Sequence, residues 1–121
     1  MILRLDDLEQ APSFGGRIWL SIGEHDFPEE GWYDLPGILL EHWTPALESF
    51  GRGHTDFCKL GFMDGPYSVR LDREQDEVRV TCIERGREVL EQKIDFPLFM
   101  ESVRKRIREY DRVRYMGFMP D

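Results

Sequence analysis

Asp56 to Phe96, DFCKLGFMDGPYSVRLDREQDEVRVTCIERGREVLEQKIDF, alternates almost without a break and decides the architecture. Cys58, Leu60 and Phe62 fall on one side of a first run from Asp56 to Met63, and Tyr67, Val69 and Leu71 on one side of a second. Val78, Val80 and Cys82 do the same in a third, while Leu90, Ile94 and Phe96 line a fourth. A period of two is the mark of a strand with one buried face. The connections are Asp64-Gly65-Pro66, then Asp72 to Asp76, then Arg85-Gly86-Arg87. All are short and rich in turn formers, so the four strands are expected to form an antiparallel meander.

Toward the N-terminus the alternation returns. Arg17 to Gly23 places Ile18, Leu20 and Ile22 on one face, and Met1 to Leu8 adds an edge strand through Leu3 and Leu5. Two segments change to the helical period. In the first, Leu35, Leu39, Trp43, Ala46, Leu47 and Phe50 recur on one side, with Asp34 as cap, Pro36 in the first turn and Gly51 beyond the end. Pro45 must either kink this helix or stop it, with Thr44 capping a restart, because proline removes an internal hydrogen bond. The second helix opens near Pro97 and runs to about Arg112, with Phe99, Val103, Ile107 and Tyr110 as its apolar stripe. The expected fold is therefore α+β in the order β-β-α-β-β-β-β-α. It is one domain over residues 1–121, an antiparallel sheet of five to six strands with two helices packed on one face.

Composition narrows the class. Of the 121 residues 40% are hydrophobic, which excludes a disordered chain, and the length suits one domain. The 24 acidic and 16 basic side chains leave a formal charge of −8, which opposes a main role in non-specific binding to nucleic acid or anionic lipid. No apolar run approaches the roughly 18 residues that span a bilayer. The opening MILRLDDLEQ has acids where a secretory leader needs an apolar stretch, so a cytoplasmic protein is expected. Cys58 and Cys82 have no metal-binding spacing and read as small buried apolar side chains in a reducing compartment.

The charge is unevenly spread. Residues 1–50 hold 10 acids and 2 bases, a net of −8, whereas residues 51–121 hold 14 of each. Gly23 to Gly37, GEHDFPEEGWYDLPG, concentrates Glu24, Asp26, Glu29, Glu30 and Asp34 beside Phe27, Trp32 and Tyr33, with no Lys or Arg. Large rings in a long connection either pack or bind. One reading is an acidic, aromatic lip that steers a basic protein partner, with Glu24, Asp26, Glu29 and Glu30 supplying the field and Phe27, Trp32 and Tyr33 the anchors. The other has Phe27 and Trp32 tucked under the first helix while the acids favour its N-terminus. The sheet face opposite the core set would show Arg17, Trp19, Phe57, Lys59, Arg70, Arg79, Thr81 and Ile83, either a solvated face or an interface. Self-association through the Trp19 and Phe57 face, a homodimer, is a further expectation. The late run VRKRIREYDRVR, Val103 to Arg114, puts Arg104, Arg108 and Arg112 in line with Lys105 beside them, either a phosphate-binding stripe or, as the acidic whole favours, the solvated back of the second helix.

Chemistry is sparse. His25, His42 and His54 stand in no metal-binding spacing, although His25, Asp26, His54 and Asp56 would be the donors if any site assembled in space. There is no GxSxG elbow, no P-loop and no strand-linked GxGxxG, so no catalytic residue, metal or cofactor is expected.

FPEEGWYDLPGILLEHW, Phe27 to Trp43, and FMDGPYSVRL, Phe62 to Leu71, resemble a pattern in small bacterial proteins. In size, acidity and α+β layout these are similar to the immunity proteins of bacterial toxin systems. The resemblance implies tight neutralisation of a cognate toxin and carries over no defined site residues. An immunity-type inhibitor is thus the leading expectation. The alternative is a small ligand-binding domain or enzyme with a pocket between helix and sheet near His42, Trp43 and Tyr67.

Overall fold

The computed structural model describes residues 1–9 and 15–116, with side chains as far as Val113. Its elements are β1 (Ile2–Asp6), β2 (Gly16–Ile22), β3 (His25–Phe27), β4 (Tyr33–Asp34), α1 (Pro36–Gly51), β5 (Phe57–Gly61), β6 (Tyr67–Glu74), β7 (Glu77–Glu84), β8 (Arg87–Ile94) and α2 (Phe96–Met116). The α+β class and the β5–β8 antiparallel meander follow the alternation. The single sheet of five to six strands does not form. The described residues form two four-stranded sheets: β5-β6-β7-β8, and β1-β2-β3 with β4 also paired to β2.

The division has a local cause. One side of β2 pairs with β1, and its other side is filled by the segment expected as a loop: Leu20 to Ile22 pair with β3, and Gly16 and Arg17 with β4. Between these short strands the Ile18 N–H donates to the Trp32 carbonyl at 2.8 Å, so residues 25–34 run along β2 as one interrupted strand. The outer edge of β1 is closed as well. The Leu3 N–H donates to Ser102 Oγ at 3.0 Å, and Arg106 Nε donates to the Leu3 carbonyl at 3.0 Å, so α2 covers an edge open to further pairing.

Both sheets share one core. Leu3, Ile18, Leu20 and Ile22 from the first meet Leu60, Val69, Leu71 and Val80 from the second, with Leu39, Leu47, Phe50, Phe99 and Val103 from the helices. The helices divide between the sheets, α2 mainly against β1 and α1 mainly against β5. Pro45 neither stops nor splits α1; the Thr44 hydroxyl donates to the Leu40 carbonyl at 2.6 Å inside a continuous helix. Leu35, and not Asp34, is the N-cap.

Candidate partner-binding surface

The segment 23–34 is fixed from behind. Asp34 is 2% exposed, and its carboxylate accepts three N–H groups: Leu35 N at 2.7 Å, Trp32 Nε1 at 3.0 Å and Asp64 N at 3.1 Å. One side chain thus ties β4, the start of α1 and the β5–β6 turn together. Around it the rings meet edge to face. Trp32 and Tyr67 lie 5.1 Å apart, Phe27 lies 5.8 Å from Tyr67 and 6.1 Å from Phe62, and Phe62 lies 5.1 Å from Trp43. Such pairs favour this geometry through the ring quadrupole. Gly65, at φ +73°, is required at the turn, because a Cβ there would sit 2.7 Å from the Tyr67 ring.

This aromatic chain corrects two expectations. Phe27, at 6% exposed, belongs to the core and cannot anchor a partner. The space proposed between helix and sheet is filled: Trp43 is buried with its Nε1 donating to the Gly61 carbonyl at 2.9 Å, Tyr67 packs on Phe27 and Trp32, and His42 is exposed. These three do not line a common cavity. Trp32 is half-buried, and Tyr33 is 47% exposed and donates to Glu9 Oε1 at 2.9 Å.

The acids do reach the surface. Glu24, Asp26, Glu29 and Glu30 are all exposed. Among the described residues the carboxylates of Glu24, Glu29 and Glu30 form no ion pair or hydrogen bond, and Asp26 accepts only from the Ser21 hydroxyl, at 2.8 Å. The nearby cations are committed elsewhere. Arg17 holds Asp7 at 3.1 Å and the Gly31 carbonyl at 2.6 Å, and Arg4 donates to Ser21 Oγ at 3.1 Å. On the outer face of the first sheet, Asp6, Asp26 and Glu30 join Trp19, Ser21, Arg4 and Arg106 around a shallow depression of about 420 Å³. The alternation in β1 and β2 could have revealed Arg4 and Ser21. No sequence signal pointed to Arg106, which arrives from α2.

The outer face of the second sheet is electrically different. Arg79 bridges Glu74 at 3.2 Å and also holds Glu91, Lys93 pairs with Glu77 at 2.8 Å, and Arg70 pairs with Asp72 at 3.0 Å while lying 4.6 Å over the Phe57 ring. The Lys93 ammonium holds the Glu77 carboxyl below its ordinary range by hydrogen bond and charge. Trp19 and Phe57 lie in different sheets, so the single face expected to join two copies does not exist.

No family model, curated protein or solved structure matches the chain. Among the described residues no three His, Cys, Asp or Glu side chains come together as a metal site, and His25, Asp26, His54 and Asp56 do not assemble. Among the described residues no helix is long and apolar enough to cross a membrane. Burial pushes the Cys58 thiol up to about 11 and that of Cys82 to about 12, leaving both protonated and unreactive at neutral pH.

Proposed function

We propose that this protein is a small acidic binding domain of the immunity type, which neutralises a basic partner protein through the outer rim of its first sheet. The observation that carries the reading is the contrast between the two sheets. On the second sheet Asp72, Glu74, Glu77 and Glu91 are each paired with arginine or lysine, whereas Glu24, Glu29 and Glu30 have no cation among the described residues. An unpaired row of exposed carboxylates projects its field into solvent, where it accelerates encounter with a positive surface and repels wrong partners. Trp19, Trp32 and Tyr33 adjoin that row and supply the aromatic contacts that hold a docked complex. Phe27, held in the core, sets the backbone of the rim and makes no contact itself.

The test uses the protein encoded by the neighbouring reading frame. Co-expression should rescue cells from its toxicity, and Glu29→Lys with Glu30→Lys should slow association at low salt by at least tenfold and flatten its salt dependence. Unchanged survival on co-expression, or an association rate indifferent to both substitutions, refutes the reading.

A further inference from the structure

The chain closes sheet edges with side chains and leaves one long edge open. The main chain of β1 meets Ser102 and Arg106 from α2, and the Gly61 carbonyl on β5 accepts from Trp43 Nε1 at 2.9 Å. β8 is eight residues long and pairs with β7 on one side. Among the described residues no hydrogen bond reaches its main chain from the other side. Such an edge is a template for a further strand. The phase of the ladder fixes which groups it offers, because bonded and unbonded pairs alternate between antiparallel strands. The Arg85 N–H donates to the Pro66 carbonyl at 2.9 Å, one step beyond the pairing of Tyr67 with Glu84. The bonded partners between β6 and β7 are therefore Ser68 with Ile83, Arg70 with Thr81 and Asp72 with Arg79. Val78, Val80 and Cys82 turn their main-chain groups the other way, to Ile94, Gln92 and Leu90 of β8. That leaves the N–H and C=O groups of Glu91 and Lys93 pointing outward.

A second β8 can meet this edge antiparallel, about a two-fold axis, in three registers that bring outward groups together. They set Glu91 opposite Glu91, Lys93 opposite Lys93, or Glu91 opposite Lys93. The first two place like charges face to face, whereas the third places opposite charges together twice. That third register alone also sets Leu90 opposite Ile94 at both ends, with Gln92 opposite itself on the axis. Leu90 and Ile94 are half-buried and pack against the core. They lie on the inner face of the sheet, across from Cys82 and Val78, so an apolar pair forms there while a charged pair forms on the outer face. On the outer face Glu77 already holds Lys93, and Arg79 holds Glu91. Pairing extends that row with alternating sign: Glu77, Lys93, then Glu91 and Arg79 of the second copy.

We infer that two copies of this chain associate through their β8 edges, with Glu91 of each opposite Lys93 of the other, so that two four-stranded sheets become one continuous sheet. The contact spans residues 90–94 of each strand, far less than a standard interface, and the dimer is accordingly weak and concentration-dependent. It rests on residues outside the acidic rim and stands independently of the function proposed for that rim.

The test is sedimentation equilibrium of the intact chain from micromolar to millimolar concentration, which should show a reversible monomer–dimer equilibrium. Glu91→Lys and Lys93→Glu, each alone, set like charges opposite one another twice and should raise the dissociation constant about tenfold. Mixed in equal amounts, the two variants should recover dimerisation, because each supplies the charge that the other lost. Circular dichroism of each variant confirms that it is folded. In a dimer of labelled with unlabelled chain, isotope-filtered NMR should place the Leu90 methyl groups beside Ile94 of the other copy. The inference is overturned if the chain stays monomeric throughout, which would leave the edge to a strand of a different protein. It is equally overturned if either single variant dimerises like the original chain, if their mixture recovers nothing, or if Leu90 and Ile94 show no contact between copies.

Discussion

Replacing Asp34 with alanine withdraws one buried acceptor from three donors at once, the N–H groups of Leu35, Trp32 and Asp64. A hydrogen bond to a charged group contributes about 1.5–3 kcal/mol, but these three share one carboxylate and two backbone donors can recover water, so their sum overstates the loss. The expected cost is about 3 kcal/mol, which for a chain of this size lowers the melting temperature by roughly 12 °C. Asparagine is the informative second variant. It keeps the shape but offers one acceptor oxygen, so its amide must point N–H groups at a donor that now faces the carboxylate, and most of the loss should remain. Urea unfolding followed by tryptophan fluorescence and by circular dichroism gives both numbers. A loss below about 1 kcal/mol for Asp34→Ala, or wild-type stability for Asp34→Asn, would show that the β4–α1 junction is held by ring packing alone.

The thiols offer a chemical check. With Cys58 raised to about 11 and Cys82 to about 12, both should resist a thiol reagent at pH 8 in the native state and react promptly in urea; fast native reaction would contradict the burial. Because the folded values lie above the ordinary 9.0, the unfolded chain ionises first, so stability should hold below pH 9.0 and fall as pH rises beyond it. Arg106→Ala should cost about 1–2 kcal/mol and speed amide exchange along β1, because it strips the Leu3 carbonyl of its donor. Unaltered exchange at Leu3 and Leu5 would mean that α2 does not guard that edge.

Much of the fold was legible because alternation and burial are the same fact seen twice. Ile18, Leu20, Ile22, Leu60, Val69, Leu71 and Val80 all fall on the core side by period alone, and all are buried. Residues 25–34 were illegible for a physical reason. β3 and β4 have three and two residues, too few to show a period, and their pairing with β2 is carried by backbone groups that side chains do not encode. The closing of the outer edge of β1 was hidden likewise, since it depends on α2 reaching β1 through Ser102 and Arg106, about a hundred positions along the chain. Of the lip, exposure of the carboxylates followed from their chemistry. The fate of each ring did not: Phe27 and Trp32 sit in one short segment, yet only Phe27 pairs in register with a core residue, Leu20.

The same contrast explains why the net charge resides in the first fifty residues. On β5–β8 Asp72, Glu74, Glu77 and Glu91 are each held by an arginine or lysine of the same sheet, Asp72 by Arg70 along its strand with Arg79 across the ladder. Pairs within the sheet thus neutralise much of that face. The first sheet supplies only Arg4 and Arg17, and each is spent on a different neighbour, Ser21 for one and Asp7 with Gly31 for the other. Like charges left together repel and lower stability, and a single lysine at position 29 or 30 would relieve that repulsion. Retaining the acids therefore has a cost in the isolated chain that a positively charged surface docked on Glu29 and Glu30 would offset. If Glu29→Lys with Glu30→Lys raises the urea midpoint of the free protein while weakening its complex, the rim is kept for binding. A lower midpoint in the free protein would mean instead that these carboxylates stabilise the fold themselves.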